Sequence, residues 1–241
     1  MTHPHFHGKE ALEHLIEARK KGRWASSEIH GVELPGHYSA AAEAAKETAF
    51  FFLLFWTLLP QFLIAFFLPL SAALLFWRMG RSALLGYVRL EKLHRLIEEE
   101  RWEIEHHRPQ EKEELTALYA AKGFSGKLLE EAIETLMADD NRLLQVMLEE
   151  ELGLSLEAFE HPLKQACGAS IAVFFAAALL WLSLFLPPWG FALTALLVIA
   201  AATLFVARWE RIPKLPALLW NLALAAAAAL IALYIHETPP F

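Results

Sequence analysis

Glu98-Glu99-Glu100-Arg101-Trp102-Glu103 opens a carboxylate-rich block that runs on through Glu111 and Glu114. It closes with Met147-Leu148-Glu149-Glu150-Glu151-Leu152-Gly153-Leu154. From Glu91 to Lys164 there are 19 acidic and 9 basic residues, a net charge of −10, whereas the whole chain carries only −7. Acid is gathered here. Glu100 and Glu103 are three apart, which puts both carboxylates on one face of a helix. Glu111 and Glu114 repeat the interval after Pro109, a residue at which a helix ends or bends. Two helical segments joined at a proline can bring the two pairs together, and such a cluster is costly unless a cation or protons neutralise it. Oxygen ligands with a soft thioether nearby, Met147, suit divalent Mn, Fe or Zn better than a purely hard ion. A solvated charged helix face is the competing reading, because Glu-rich helices are common.

On both sides of the block the chain turns apolar. By size alone, 241 residues with 56% hydrophobic content would fit one soluble domain, but the distribution of those residues excludes it. Ala49–Trp77, Ala166–Ala207 and Leu215–Ile235 carry no Asp, Glu, Lys or Arg. Each exceeds the ~18 residues that a membrane-spanning helix needs. The first run would be about 43 Å long as a single helix, too long for one upright span of a ~30 Å hydrocarbon core and short for two. Pro60-Gln61 interrupts it. Recruiting the Ala-rich stretch before it gives a first helix from about Ala41 to Leu59 and a second from Phe62 to about Arg78. That places Glu43, Lys46 and Glu47 at or just inside one interface. Pro187-Pro188-Trp189-Gly190 divides the second run into spans Ala166–Leu186 and Phe191–Ala207, and Leu215–Ile235 is the fifth.

The expected fold is an all-α membrane protein, with five transmembrane helices and a helical cytoplasmic domain inserted between helices 2 and 3. The boundaries read as 1–40 cytoplasmic segment, 41–88 helices 1 and 2, 89–164 acidic domain, and 165–241 helices 3 to 5. Arg78, Arg81 and Arg89 on one side, and Arg208, Arg211 and Lys214 later, mark the cytoplasmic face by the positive-inside rule. The second helix continues in pattern through Leu90, Leu93, Ile97 and Ile104. Within the domain, helices are expected at Glu111–Ala121, Gly126–Ala138 and Asp139–Glu151, with Gly123 and Ser125 as stop and cap. His107 lies near Glu103 and is a further candidate ligand. His3, His5 and His7 alternate and could chelate a metal from an extended strand, or simply belong to a disordered terminus. Glu10–Lys21 reads as a short amphipathic helix. Cys167 is the lone cysteine and implies no disulfide. No cleavable signal peptide is expected, since the first apolar run begins near residue 49 behind a charged segment. No basic patch suits nucleic acid, and no nucleophile–base pair or phosphate loop suggests an enzyme.

The run Glu111–Glu114, then Leu118-Tyr119-Ala120-Ala121-Lys122-Gly123-Phe124-Ser125, then Met147 with Glu150-Glu151-Leu152-Gly153-Leu154, resembles the cytoplasmic metal-binding domain of the vacuolar iron transporter family. The resemblance is specific over about residues 89–154. It implies a proton-coupled homodimer in a lipid bilayer that carries iron or manganese and serves intracellular metal homeostasis. It also implies a divalent ion (Fe²⁺, Mn²⁺ or Zn²⁺) held by Glu100, Glu103, Glu111, Glu114, Glu151 and Met147. No soluble protein partner is implied, and the absence of organelle signals and the compact length suit a bacterial inner membrane.

Two departures accompany it. Leu148 stands where the family often has a second Met or an acid. The first two helices lack the family's Asp-Gly pair and membrane acid, reading Thr48-Ala49-Phe50-Phe51-Phe52-Leu53-Leu54-Phe55-Trp56 and Ala72-Ala73-Leu74-Leu75-Phe76-Trp77 instead. Two functions therefore stay open. In one, a transporter uses Glu43 or Glu47 in its pathway, with Met79 near the cytoplasmic mouth. In the other, a membrane-anchored metal-binding or sensing protein does not conduct.

Overall fold

Leu59 is where the first apolar run breaks. Its φ of −134° and ψ of 54° leave the helical region, and Pro60 starts a short 3₁₀ turn, Pro60–Phe62, in the place where its missing N–H costs least. Before the break lies α1 (Gly36–Leu58) and after it α2 (Leu63–His106), which tolerates Pro69 in its interior. The two run antiparallel: Phe52 stacks on Phe67 with ring centroids 4.4 Å apart, Phe55 lies 6.1 Å from Phe66, and Glu47 reaches Arg78. The run is a hairpin.

The computed structural model describes residues 34–151 and 160–237, and every regular element among them is helical. His3, His5, His7 and the expected helix Glu10–Lys21 lie outside the described residues. After α2 come α3 (Arg108–Ala121), α4 (Gly126–Met137) and α5 (Asp140–Val146), which passes into a π-helical turn, Met147–Glu151. Three long helices follow: α6 (Pro162–Ser183), α7 (Pro188–Trp209) and α8 (Lys214–Glu237). The described residues divide into two compact units, 88–151 in one and 34–87 with 160–237 in the other. The division passes through α2.

Among the described residues, four helices are long and apolar enough to cross a membrane: Pro60–His106, Pro162–Ser183, Trp189–Trp209 and Lys214–Glu237. Five were expected. The helix that falls short is α1, which has the length but carries Glu43, Lys46 and Glu47 along its first half. The core of this unit is small-residue packing between α1, α6 and α7, with Ala44, Ala49, Phe52, Ala169, Val173, Leu180, Ala195 and Ile199 buried. Small side chains let backbones approach closely, which is how apolar helices associate where lipid supplies no hydrophobic drive. Buried Thr48 and Thr203 return their hydroxyls to the carbonyls of Ala44 and Ile199, so neither hydroxyl is stranded there.

The closest approach is at Gly168, where an added Cβ would stand 2.3 Å from the carbonyl oxygen of His37. Gly168→Ala should therefore force α6 off α1, at a cost of about 1–3 kcal/mol. A lower melting temperature of the detergent-solubilised protein checks this. The same junction is tied by Glu160. It accepts from the His37 backbone N–H at 2.8 Å, lies 2.6 Å from His37 Nδ1 and 3.1 Å from Lys164 Nζ. Burial pushes its carboxyl up, but these donors together hold it below its ordinary range.

In the other unit, Leu93, Ile104, Leu115, Ile133, Leu143, Leu144, Met147 and Leu148 form the core. Gly123 takes φ +97° at the end of α3, a left-handed position that favours glycine. Ser125 occupies the N-cap position of α4 but makes no capping hydrogen bond, whereas Asp139 caps α5 through the Arg142 N–H at 2.8 Å. Arg108 bridges α3 to the α4–α5 link, with Nη1 on Asp140 and Nη2 on the Met137 carbonyl, each at 2.6 Å.

Candidate metal centre

Glu100 and Glu103 lie on the last turns of α2. The helix stops at His106 because Pro109, two residues into α3, cannot donate a backbone hydrogen bond. His107 stands between the helices at φ −126°, its N–H still bonded to the Glu103 carbonyl at 2.7 Å. The chain re-enters a helix at once, so Glu111 falls in the first turn of α3, where the helix dipole favours a negative charge.

The break brings three carboxylates together. One oxygen from each of Glu100, Glu103 and Glu111 lies within 4.8 Å of the others. This is no solvated face: Glu100, Glu111 and Glu114 are buried, Glu111 at 0% exposure, and Glu103 is half-buried. The electrostatic cost shows on Glu111, whose carboxyl is pushed up from 4.5 to about 10. Burial is the largest cause, followed by the negative charges of Glu100, Glu114 and Glu103. A buried acid crowded by three others keeps its proton at neutral pH or exchanges it for a cation. The residues fit a divalent ion on that ground: oxygen donors converge, water is largely excluded, and all three donors are acids.

The remaining expected ligands stand differently. Glu114 is coupled to Glu111 by charge but lies outside the group of three. Met147 is 2% exposed and packs in the apolar core with Ile104 and Leu115, the sequence neighbours of Glu103 and Glu114. Its thioether is thus part of the unit's interior. Glu151 ends the π turn, and its side chain lies outside the described residues; neighbouring Glu150 pairs with Lys122. His107 places its ring edge-on against Trp102, 5.4 Å between centroids, and does not join the three carboxylates.

In the membrane unit, Glu43 and Glu47 line a cavity of about 350 Å³ with Lys46, Phe50, Ile199 and Asn221. Each carboxylate has a basic partner: Lys46 at 2.5 Å for Glu43, and Arg78 at 2.8 Å and Arg81 at 3.6 Å for Glu47. Met79 does not line this cavity and is exposed. Sequence reasoning reads Arg78 as a topology marker only. Its contact with Glu47 spans 31 residues and no local pattern announces it.

Long apolar helices, together with a helical unit that holds a buried carboxylate cluster, define an integral membrane protein with a candidate cation site. The VIT family model matches residues 87–237, more than half of the chain, and the chain belongs to the VIT family. At the level of the family it is a membrane metal-ion transporter. Among curated proteins and among solved structures no match is found. The family match begins at Tyr87, so α1 and the first half of α2 stand outside it.

Proposed function

We propose that this chain is a divalent-metal transporter for iron or manganese, proton-coupled and homodimeric, that serves intracellular metal homeostasis. The observation that carries the reading is the convergence of Glu100, Glu103 and Glu111 in a buried site, in a chain of the VIT family. In this reading Glu100, Glu103 and Glu111 are the first to hold the ion, with Glu114 adding charge and Met147 a soft donor. Carboxylates must lose their protons to take the metal, so loading releases protons and unloading takes them up. Glu111, whose burial and acidic neighbours push its carboxyl up to about 10, would exchange its proton for the ion in this way. Passage through the bilayer would use Glu43 and Glu47, since a bare divalent ion in hydrocarbon is prohibitively costly.

The ion pairs at Glu43 and Glu47 favour a second reading, a membrane-anchored protein that binds or senses metal without conducting it. Purified protein in liposomes with a Mn²⁺-sensitive dye inside separates the two. Uptake that depends on a proton gradient and falls in Glu43→Ala or Glu47→Ala is the expected result. Intact metal binding with no uptake under any gradient would leave the sensor.

A further inference from the structure

The carboxylates that face the membrane unit's cavity already hold cations of their own. Glu47 accepts a hydrogen bond from Arg78 Nη1 at 2.8 Å and has Arg81 Nη1 at 3.6 Å; Glu43, one turn earlier, holds Lys46. Arg78 is only 5% exposed, so its guanidinium has given up water for this contact, while Arg81 remains half exposed. Two carboxylates and three cations leave the group with surplus positive charge. A divalent ion arriving at Glu47 meets both repulsion and an occupied ligand. Titration does not free the site, because a guanidinium keeps its proton at any working pH.

We infer that Arg78 is a tethered counter-cation: it fills the cation position at Glu47, and a divalent metal ion binds there only by displacing it. Arg78 thereby sets how readily the membrane unit accepts metal. If the pair served only to fasten α1 to α2, removing Arg78 would loosen the hairpin and create no metal site. The effect on flux rests on the transport reading above; the effect on binding does not.

The experiment uses the full-length protein with Mn²⁺ as the probe. Bound Mn²⁺ is counted per chain in detergent, and influx is followed in liposomes. Arg78→Gln should bind one ion more than wild type, and the Arg78→Gln, Glu47→Gln double variant should lose that ion again. Arg78→Lys keeps a cation in place and should stay at the wild-type count. Glu47→Gln alone strands a buried guanidinium, so the double variant is the proper reference for losing the carboxylate. Arg78→Met, which keeps the buried stem and drops the charge, reads the same outcome should the Gln variant not elute as a single folded species. In liposomes Arg78→Gln should raise influx up to about fivefold over wild type, the factor expected from losing a competing ion pair. An extra ion without flux in any variant would support the counter-cation and overturn the transport reading. No extra ion in a folded Arg78→Gln or Arg78→Met protein would overturn the inference, whatever the flux.

Discussion

Replacing Glu103 and Glu111 together by Gln lowers the affinity of the full-length protein for Mn²⁺ by at least about a hundredfold, since even groups that only orient a metal's ligands are each worth roughly 10- to 100-fold. The two residues come from opposite sides of the Pro109 break and supply two of the three converging oxygens. Glutamine keeps the shape and one carbonyl oxygen but cannot ionise, so it cannot exchange a proton for a cation. Glutamine matches in size the neutral acid that Glu111 already is near neutral pH, so the buried site keeps its volume and gains no charge. Calorimetric titration at near-neutral pH measures the loss, and the wild-type affinity should itself weaken steadily as pH drops below about 10, because the ion must displace the proton that Glu111 holds. Equal affinity in the variant would mean that the three carboxylates gather for some reason other than metal.

The metal-free protein should also lose stability in residues 88–151 as pH rises, the reverse of what paired carboxylates usually give. Glu111 holds its proton up to about 10 in the fold but only to about 4.5 when unfolded. Between those values the unfolded chain has released a proton that the folded chain still carries. Stability from this group is therefore complete below the unfolded value and drains away as pH climbs through the folded one, at about 1.4 kcal/mol per pH unit at most. Amide hydrogen exchange confined to 88–151 reads this locally, free of the membrane helices. Protection should fall from about pH 5 to about pH 9, stay flat in Glu111→Gln, and be restored at the alkaline end by Mn²⁺, which binds the deprotonated form. A wild-type profile as flat as the variant's would show that Glu111 ionises as freely in the fold as in the unfolded chain.

Both effects arise from features that are legible in the sequence itself. Helical periodicity places Glu100 beside Glu103, and Pro109 announces the break that carries Glu111 back towards them; both are local properties of the backbone. The uncharged runs likewise mark the apolar helices, because a bilayer admits no other backbone arrangement on that length scale. What the sequence does not reveal is long-range. The clasp of His37 on Glu160 spans 123 residues, and the hold of Arg78 on Glu47 depends on where two helices of a hairpin meet. The widening of α5 into a π turn at Met147, and the lack of a capping hydrogen bond from Ser125, are likewise not announced by the local pattern. The three charges that keep α1 from the composition of a membrane-crossing helix, Glu43, Lys46 and Glu47, are themselves plain in the sequence.

Glu100, Glu103 and Glu111 fall within twelve consecutive residues. Little chain entropy is lost in closing so short a segment, so these three carboxylates come together without any distant part of the chain being threaded into place. Length changes will be felt unevenly. One residue inserted between Glu100 and Glu103 would swing one carboxylate about 100° around the helix from the other and scatter the ligands. Extra residues between Lys122 and Ser125, beyond the helix that carries Glu111, would leave all three where they are.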